Sequence, residues 1–163
     1  MYNFEVLLYS AVAQLVERLA VNEDVLGSSP SRGAELSVAY DAVLHMNIKI
    51  FKEPVALEDV RVIAQEIYRD MVKGVVDVER GAIALGGEWH MDANAILISD
   101  GSKQENVWGF NIHVYEHGDS ALKFVSLINI RPTQGNRGME IQDEELRKKI
   151  RAIVERLIPN LFV

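Results

Sequence analysis

The stretch from Ile128 to Arg137, "INIRPTQGNR", sets two arginines among amide and hydroxyl side chains in a turn-forming context. Arg131 and Arg137 carry planar guanidinium groups that could grip a carboxylate or phosphate through paired N–H donors. Asn129, Gln134 and Asn136 could complete a polar shell. A second polar turn, "DGSKQ" at 100–104, offers Ser102, Gln104 and the point charge of Lys103. If the two loops meet, they form a pocket for an anionic small molecule or a partner segment, with Trp108 as one wall. The alternative is that Gly135 and Asn136 simply make a turn while Arg131 pairs with an acid on a sheet.

A weaker constellation lies in "GGEWH", where Glu88 and His90 stand two apart and share a face if the chain is extended. Joined by Asp92 or His113, they could ligate a metal, or serve as acid and base in a hydrolase. The spacing matches no established metal signature, so no metal or cofactor is expected. Isolated histidines more often sit hydrogen-bonded or at the surface, and His117, in a turn beside Gly118, reads as solvated. Gly86–Gly87 lacks the lysine and helix pattern of a phosphate loop. Ser102 has no nucleophile-elbow context. "RKKIR", from Arg147 to Arg151, reads as the solvated face of a helix.

Composition narrows the classes. Apolar residues make up 48% and charged residues 25%, as in a globular domain. The net charge of −7 argues against general binding to nucleic acid or to an anionic membrane. The chain has no cysteine, which excludes disulfides, thiolate zinc sites and a cysteine nucleophile. Its first residues make a poor secretion signal, since Glu5 interrupts them and no basic leader precedes them. A cytoplasmic protein is expected.

Residues 1–45 differ in texture from the rest. Ala11 to Glu35, "AVAQLVERLAVNEDVLGSSPSRGAE", resembles a translated transfer-RNA gene. Val12–Val16 can be encoded as a D-arm and Gly27–Pro30 as a T-loop. Codons for Ser10–Ala11 and Arg32–Gly33 can pair as an acceptor stem, those for Ala13–Gln14 and Glu17–Arg18 as a D-stem, and those for Leu19 and Glu23 as an anticodon stem. We read 1–45 as a spurious or disordered extension and Met46 as the start of one α+β domain, 46–163. Without the extension, Lys plus Arg falls from 17 to 15 and Asp plus Glu from 24 to 18, so the domain carries −3.

The elements that must position the polar loops follow from periodicity. "MNIKIF" alternates as a strand. Pro54 opens a helix whose apolar positions run from Leu57 through Val60, Ile63, Ala64 and Ile67 to Met71. "VKGVVDVERGAIALGG" reads as a hairpin turning at Glu79–Gly81. Asp92 caps a short helix ended by Gly101. "WGFNIHVY" and "ALKFVSLINIR" form a second hairpin around 116–120, the latter strand ending in Arg131. "IQDEELRKKIRAIVERLIP" is a closing helix with an apolar stripe of Leu146, Ile150, Ile153, Val154 and Leu157. The expected fold class is α+β: a small, mostly antiparallel sheet in the order β-α-ββ-α-ββ-α, with the helices packed on one face.

At "VVDVERGAIALGGEWH", "DGSKQENVWG" and "INIRPTQGNR" the sequence resembles a family of small bacterial proteins known as a domain of unknown function, family 5674. The resemblance runs from about Met46 to Ile158 and implies a start near Met46. Trp89 stands where a smaller aliphatic residue is usual, and "GNRGM" replaces a more basic "GNRSR". The family supplies no residue roles. The leading expectation is a binding or regulatory module contacting an anionic ligand or partner segment through Ser102, Lys103, Gln104, Trp108, Asn129, Arg131, Gln134, Asn136 and Arg137. The alternatives are a hydrolase using Glu88 and His90, or a homo-oligomeric interaction domain using the apolar tail "IPNLFV".

Overall fold

The computed structural model describes residues 47–163, which form one unit. The reading of 1–45 lies outside the described residues. Five strands make one antiparallel sheet: β1 Lys49–Phe51, β2 Met71–Asp77, β3 Ala82–Leu85, β4 Val107–His113 and β5 Leu122–Lys123, in the spatial order β1-β3-β2-β4-β5. Three helices accompany it, α1 Leu57–Ile67, α2 His90–Ser99 and α3 Glu144–Leu157. The fold is α+β, as the alternation of strand and helix periods requires. Among the described residues no helix is long and apolar enough to cross a membrane.

Register shows why both faces of the sheet need cover. Val72 and Val76 of β2, with Phe110 and Ile112 of β4, point to a core completed by Val60 and Ile63 of α1 and Ile150 and Val154 of α3. The intervening positions, Val75 and Val107, are just as apolar. With Ile48 and Ala84 they form a second core under Ala93 and Leu97 of α2. The helices therefore pack on both faces, α1 and α3 on one and α2 on the other, and not on a single face. The near-continuous apolar run of the β2–β3 hairpin is the sequence counterpart of a strand pair buried on both sides.

Three element boundaries differ from the periodicity. Helix α1 stops at Ile67 because Arg69 adopts a left-handed backbone (φ 69°), its N–H bonded to Ala64 O at 2.7 Å, so Met71 opens β2. Helix α2 starts earlier than an Asp92 cap would place it. Trp89 occupies the N-cap position, and Asp92, in the first turn, reaches back to accept the Trp89 N–H at 3.3 Å. The strand expected to run from Ala121 to Arg131 leaves the sheet after Lys123. It continues through a single bridge, Val125 to Glu140, and a 3-10 turn at Leu127–Asn129.

That departure has a clear cause. The N–H and C=O of Gly109, on the edge of β4 away from β2, bond the side chain of Asn129 at 2.8 and 2.9 Å. One amide group takes the place of a strand residue. The approach is so close that a Cβ on Gly109 would stand 2.5 Å from Ser126 Cβ. On the opposite face, a Cβ on Gly74 would meet the Phe110 ring at 2.6 Å and a Leu85 methyl at 2.7 Å. Gly74→Ala should therefore cost about 1–3 kcal/mol by overpacking, read as a lower denaturation midpoint at unchanged slope.

Candidate functional site

Arg131 brings the two polar loops together. Its Nη1 donates to Gln104 O (2.8 Å), Glu105 O (3.3 Å) and Gln134 Oε1 (3.2 Å), its Nη2 to Val107 O, and its Nε to Ile128 O at 3.0 Å. The guanidinium also stacks over Trp108, 4.6 Å from the ring centroid. Gln134 adds a bond from Nε2 to Glu105 O at 3.1 Å. The fork that could clasp an anion is thus committed to carbonyls of its own chain. Arg131 bonds backbone carbonyls and the Gln134 side chain rather than an acid on the sheet.

The neighbouring side chains are spent in the same way. Asn136 donates to Asn129 O (2.8 Å), Gly138 O (2.8 Å) and Glu140 O (3.1 Å), and accepts from Gln142 N–H at 2.9 Å. Ser102 is buried and accepts from Arg80 Nη1 at 2.9 Å, while the same arginine holds Asp100 at 2.7 Å. Lys52 reaches Asp100 too, and these two cations hold its carboxyl below the ordinary range. Gln104 and Asn94 exchange reciprocal amide bonds at 3.0 and 3.1 Å. Lys103 and Arg137 are exposed. Of the expected set, Trp108, Gln104, Arg131, Gln134, Asn136 and Asn129 are joined by this network, whereas Ser102, held by Arg80, and the exposed Lys103 and Arg137 stand outside it.

Beside the network lies a cleft of about 360 Å³. Buried Trp108 and Ile141 and half-buried Leu146 form its apolar floor, and exposed Glu105, Gln134 and Asp143 stand on its rim. Asp143 uses Oδ1 to cap α3, accepting the Glu145 and Leu146 N–H groups at 2.9 and 3.1 Å. The rim carries two carboxylates and no cation. It suits an apolar side chain with a donor or positive charge beside it, and disfavours an anion.

Glu88 and His90 do not act as a pair. The Glu88 carbonyl is bound by Lys73 Nζ at 2.7 Å and Tyr68 Oη at 2.8 Å, while its carboxylate is exposed. The His90 ring turns inward, and Nε2 meets Phe110 O at 2.9 Å. A carbonyl only accepts, so Nε2 carries the proton. Among the described residues no group of three His, Asp or Glu side chains is placed to hold a metal. Glu88, His90, Asp92 and His113 therefore form no metal centre. His117, read as solvated, contacts the Val163 carbonyl through Nδ1 at 2.7 Å and is otherwise exposed.

Sequence reasoning missed Lys73. Its Nζ lies 2.5 Å from Tyr68 Oη and sits over the rings of Tyr68 and Trp89, 4.5 and 5.2 Å from their centroids. The available signal was a lone lysine in the apolar run of β2.

A family model described as "Protein of unknown function (DUF5674)" matches residues 49–157, which cover all five strands and all three helices of the described residues. The chain belongs to this family. No curated protein and no solved structure matches it. Within "INIRPTQGNR", Asn129, Arg131 and Asn136 make their side-chain bonds chiefly to backbone carbonyls of this chain, while Arg137 is exposed.

Two outcomes follow. Arg131→Lys retains the charge but loses the fork, leaving the Val107 carbonyl without its donor and the Gln104 and Glu105 carbonyls with one fewer each. It should cost about 2 kcal/mol of stability, read by chemical denaturation. His90 is lowered from its ordinary 6.5 chiefly by burial, with the Lys73 charge adding to it and the Phe110 carbonyl and Asn111 side chain opposing it. The unfolded chain then takes up the proton first, so stability falls as pH drops below about 6.5 and levels off below the folded value. Melting curves of His90→Gln between pH 7 and 5 should lack that component.

Proposed function

We propose that this domain is a binding module that receives a segment of a partner protein in the cleft beside Trp108, in a cytoplasmic setting consistent with a cysteine-free chain. One observation carries the reading: the polar side chains around the cleft are committed to carbonyls and to one another through Arg131, leaving a fixed apolar floor rimmed by Glu105 and Asp143. A cleft whose walls are already ordered loses little conformational freedom when a ligand enters. Of the two ligand classes suggested by the sequence, the partner segment fits this rim and the small anion does not. The segment would offer an apolar side chain to Trp108, Ile141 and Leu146, and a lysine, arginine or amide N–H to the carboxylates.

The test is a thermal melt of the full chain against peptides of alternating leucine and lysine, leucine and glutamine, and leucine and glutamate, with inorganic phosphate and citrate alongside. A ligand that binds only the folded state raises the melting temperature by mass action. The lysine peptide should give a larger shift than the glutamine peptide, and Glu105→Lys should remove most of that shift while leaving any shift by the glutamate peptide in place. A shift by phosphate or citrate larger than by any peptide would overturn the reading in favour of an anion site.

A further inference from the structure

We propose that the end of the sheet left open by α2 is a docking face for an acidic segment of a partner protein, with Trp89 as its anchor. It uses the face opposite the α1–α3 core and is independent of the Trp108 cleft.

Helix α2 covers only part of its face. Ala93 and Leu97 pack over Val75, Ala84 and Val107. Toward the other end of the same strands, the positions on this face are Met71 and Lys73 of β2, Asn111 and His113 of β4, and Lys123 of β5. Lys73 pairs with Asn111, which pairs with Lys123, so a lysine–asparagine–lysine row crosses three strands. None of the five positions is acidic, none belongs to either core, and all are half-buried or exposed. Lys73 spends two of its three N–H groups on Tyr68 Oη and Glu88 O, and Lys123 makes one long contact to the Asp119 carbonyl at 3.5 Å. Both cations keep donors for an incoming carboxylate.

At the border of this row the loop before α2 is fixed from several directions. Gly86 N–H bonds Lys73 O at 3.0 Å, the Glu88 carbonyl receives both Lys73 and Tyr68, and Asp92 holds the Trp89 N–H. Gly86 and Gly87 supply the left-handed turns (φ 110° and 79°) that bring the loop there. The outcome of these contacts is an indole that stays 58% exposed, with Met91 beside it in sequence at 60%. A tryptophan held out on a braced backbone is the kind of residue that dominates protein interfaces, because little freedom remains to be lost on binding. Lysines beside an apolar anchor select a segment whose carboxylates flank an apolar side chain. Nucleic acid is the poorer fit, since the chain as a whole carries −7 and would repel a phosphate backbone.

Trp89 provides its own probe, because Trp108 is buried and iodide quenching reads the exposed indole. The full chain is titrated with a peptide of alternating glutamate and leucine, with its glutamine–leucine and lysine–leucine counterparts, and with oligothymidylate. The glutamate peptide should shield Trp89 from iodide at an at least ~10-fold lower concentration than either counterpart. Trp89→Ala, followed by calorimetry, should weaken that binding ~10-fold or more. Lys73→Met should weaken it as well. Because that change could loosen the loop, Lys123→Glu on the exposed strand serves as the second variant and should weaken binding several-fold without lowering the melting temperature. Glu105→Lys, in the other cleft, should leave it unchanged. Equal binding of the glutamine peptide, tighter binding of oligothymidylate, or indifference to both Trp89→Ala and Lys123→Glu would overturn the proposal.

Discussion

Every buried backbone N–H and C=O must find a partner, and in this domain that requirement is hardest to meet where β4 loses its neighbour. Strand β5 pairs at only two positions, Asn111 with Lys123 and Ile112 with Leu122, after which the chain turns away. The buried rung at Gly109, which no strand pairs on that edge, is completed by the Asn129 side chain. The Asn129 carbonyl is in turn received by Asn136, which also gathers Gly138 and Glu140. Arg131 closes the series by taking carbonyls at Gln104, Glu105, Val107 and Ile128. An irregular stretch of chain, with no ladder of its own, is held against the sheet by three side chains. Position matters as much as residue type here. Gly109 must be glycine for Ser126 to come close, and Asn129 must be fully buried for its amide to stand in for a strand.

This economy explains why the regular elements and the meeting of the two polar loops were legible in the sequence, and the partners of the polar side chains were not. Periodicity locates β2, β3, β4 and α3 because apolar spacing is set by burial, and burial is the same constraint in sequence and structure. It fails at Ala121–Arg131, where alternation persists although the strand does not. Phe124 and Ile128 still pack inward, against different cores, while the backbone between them has left the sheet. It is also blind to which face a helix covers, so α2, apolar nearly all round, gave no sign that it crosses to the far side of the sheet. The polar block 128–137 is ambiguous in the sequence for a chemical reason. Arginine and asparagine in a glycine-containing loop have the donors to hold a ligand, and the same donors serve an unpaired backbone. Only the contacts decide between the two uses.

The assignment of Arg131 to structure also redistributes the charges left for recognition. Buried or committed cations, Arg131 and Arg80 among them, hold loops together. The acids Glu105 and Asp143 gather at the Trp108 cleft on one side. Lys73 and Lys123 lie on the other face of the sheet, beside a tryptophan kept in solvent. A domain with a small net charge thereby presents two surfaces of opposite character. Such segregation is costly in a fold that only needs solubility, where interspersed signs suffice, but it is what recognition of charged partners requires.

The chemistry that remains exposed fits that division better than it fits catalysis. A general base needs a proton acceptor within reach of a substrate, and the His90 Nε2 proton points into the sheet at Phe110 O. Glu88 contributes its carbonyl to the loop and not its carboxylate to a neighbour. Ser102, the hydroxyl within the 100–104 turn, accepts from Arg80 and is buried. Each of these groups is fixed by the same demand that fixes Asn129, the satisfaction of buried polar atoms. What the fold leaves unspent are lysine N–H groups, carboxylates and the Trp89 ring. These are the groups through which the proposed binding would act, by charge and contact area.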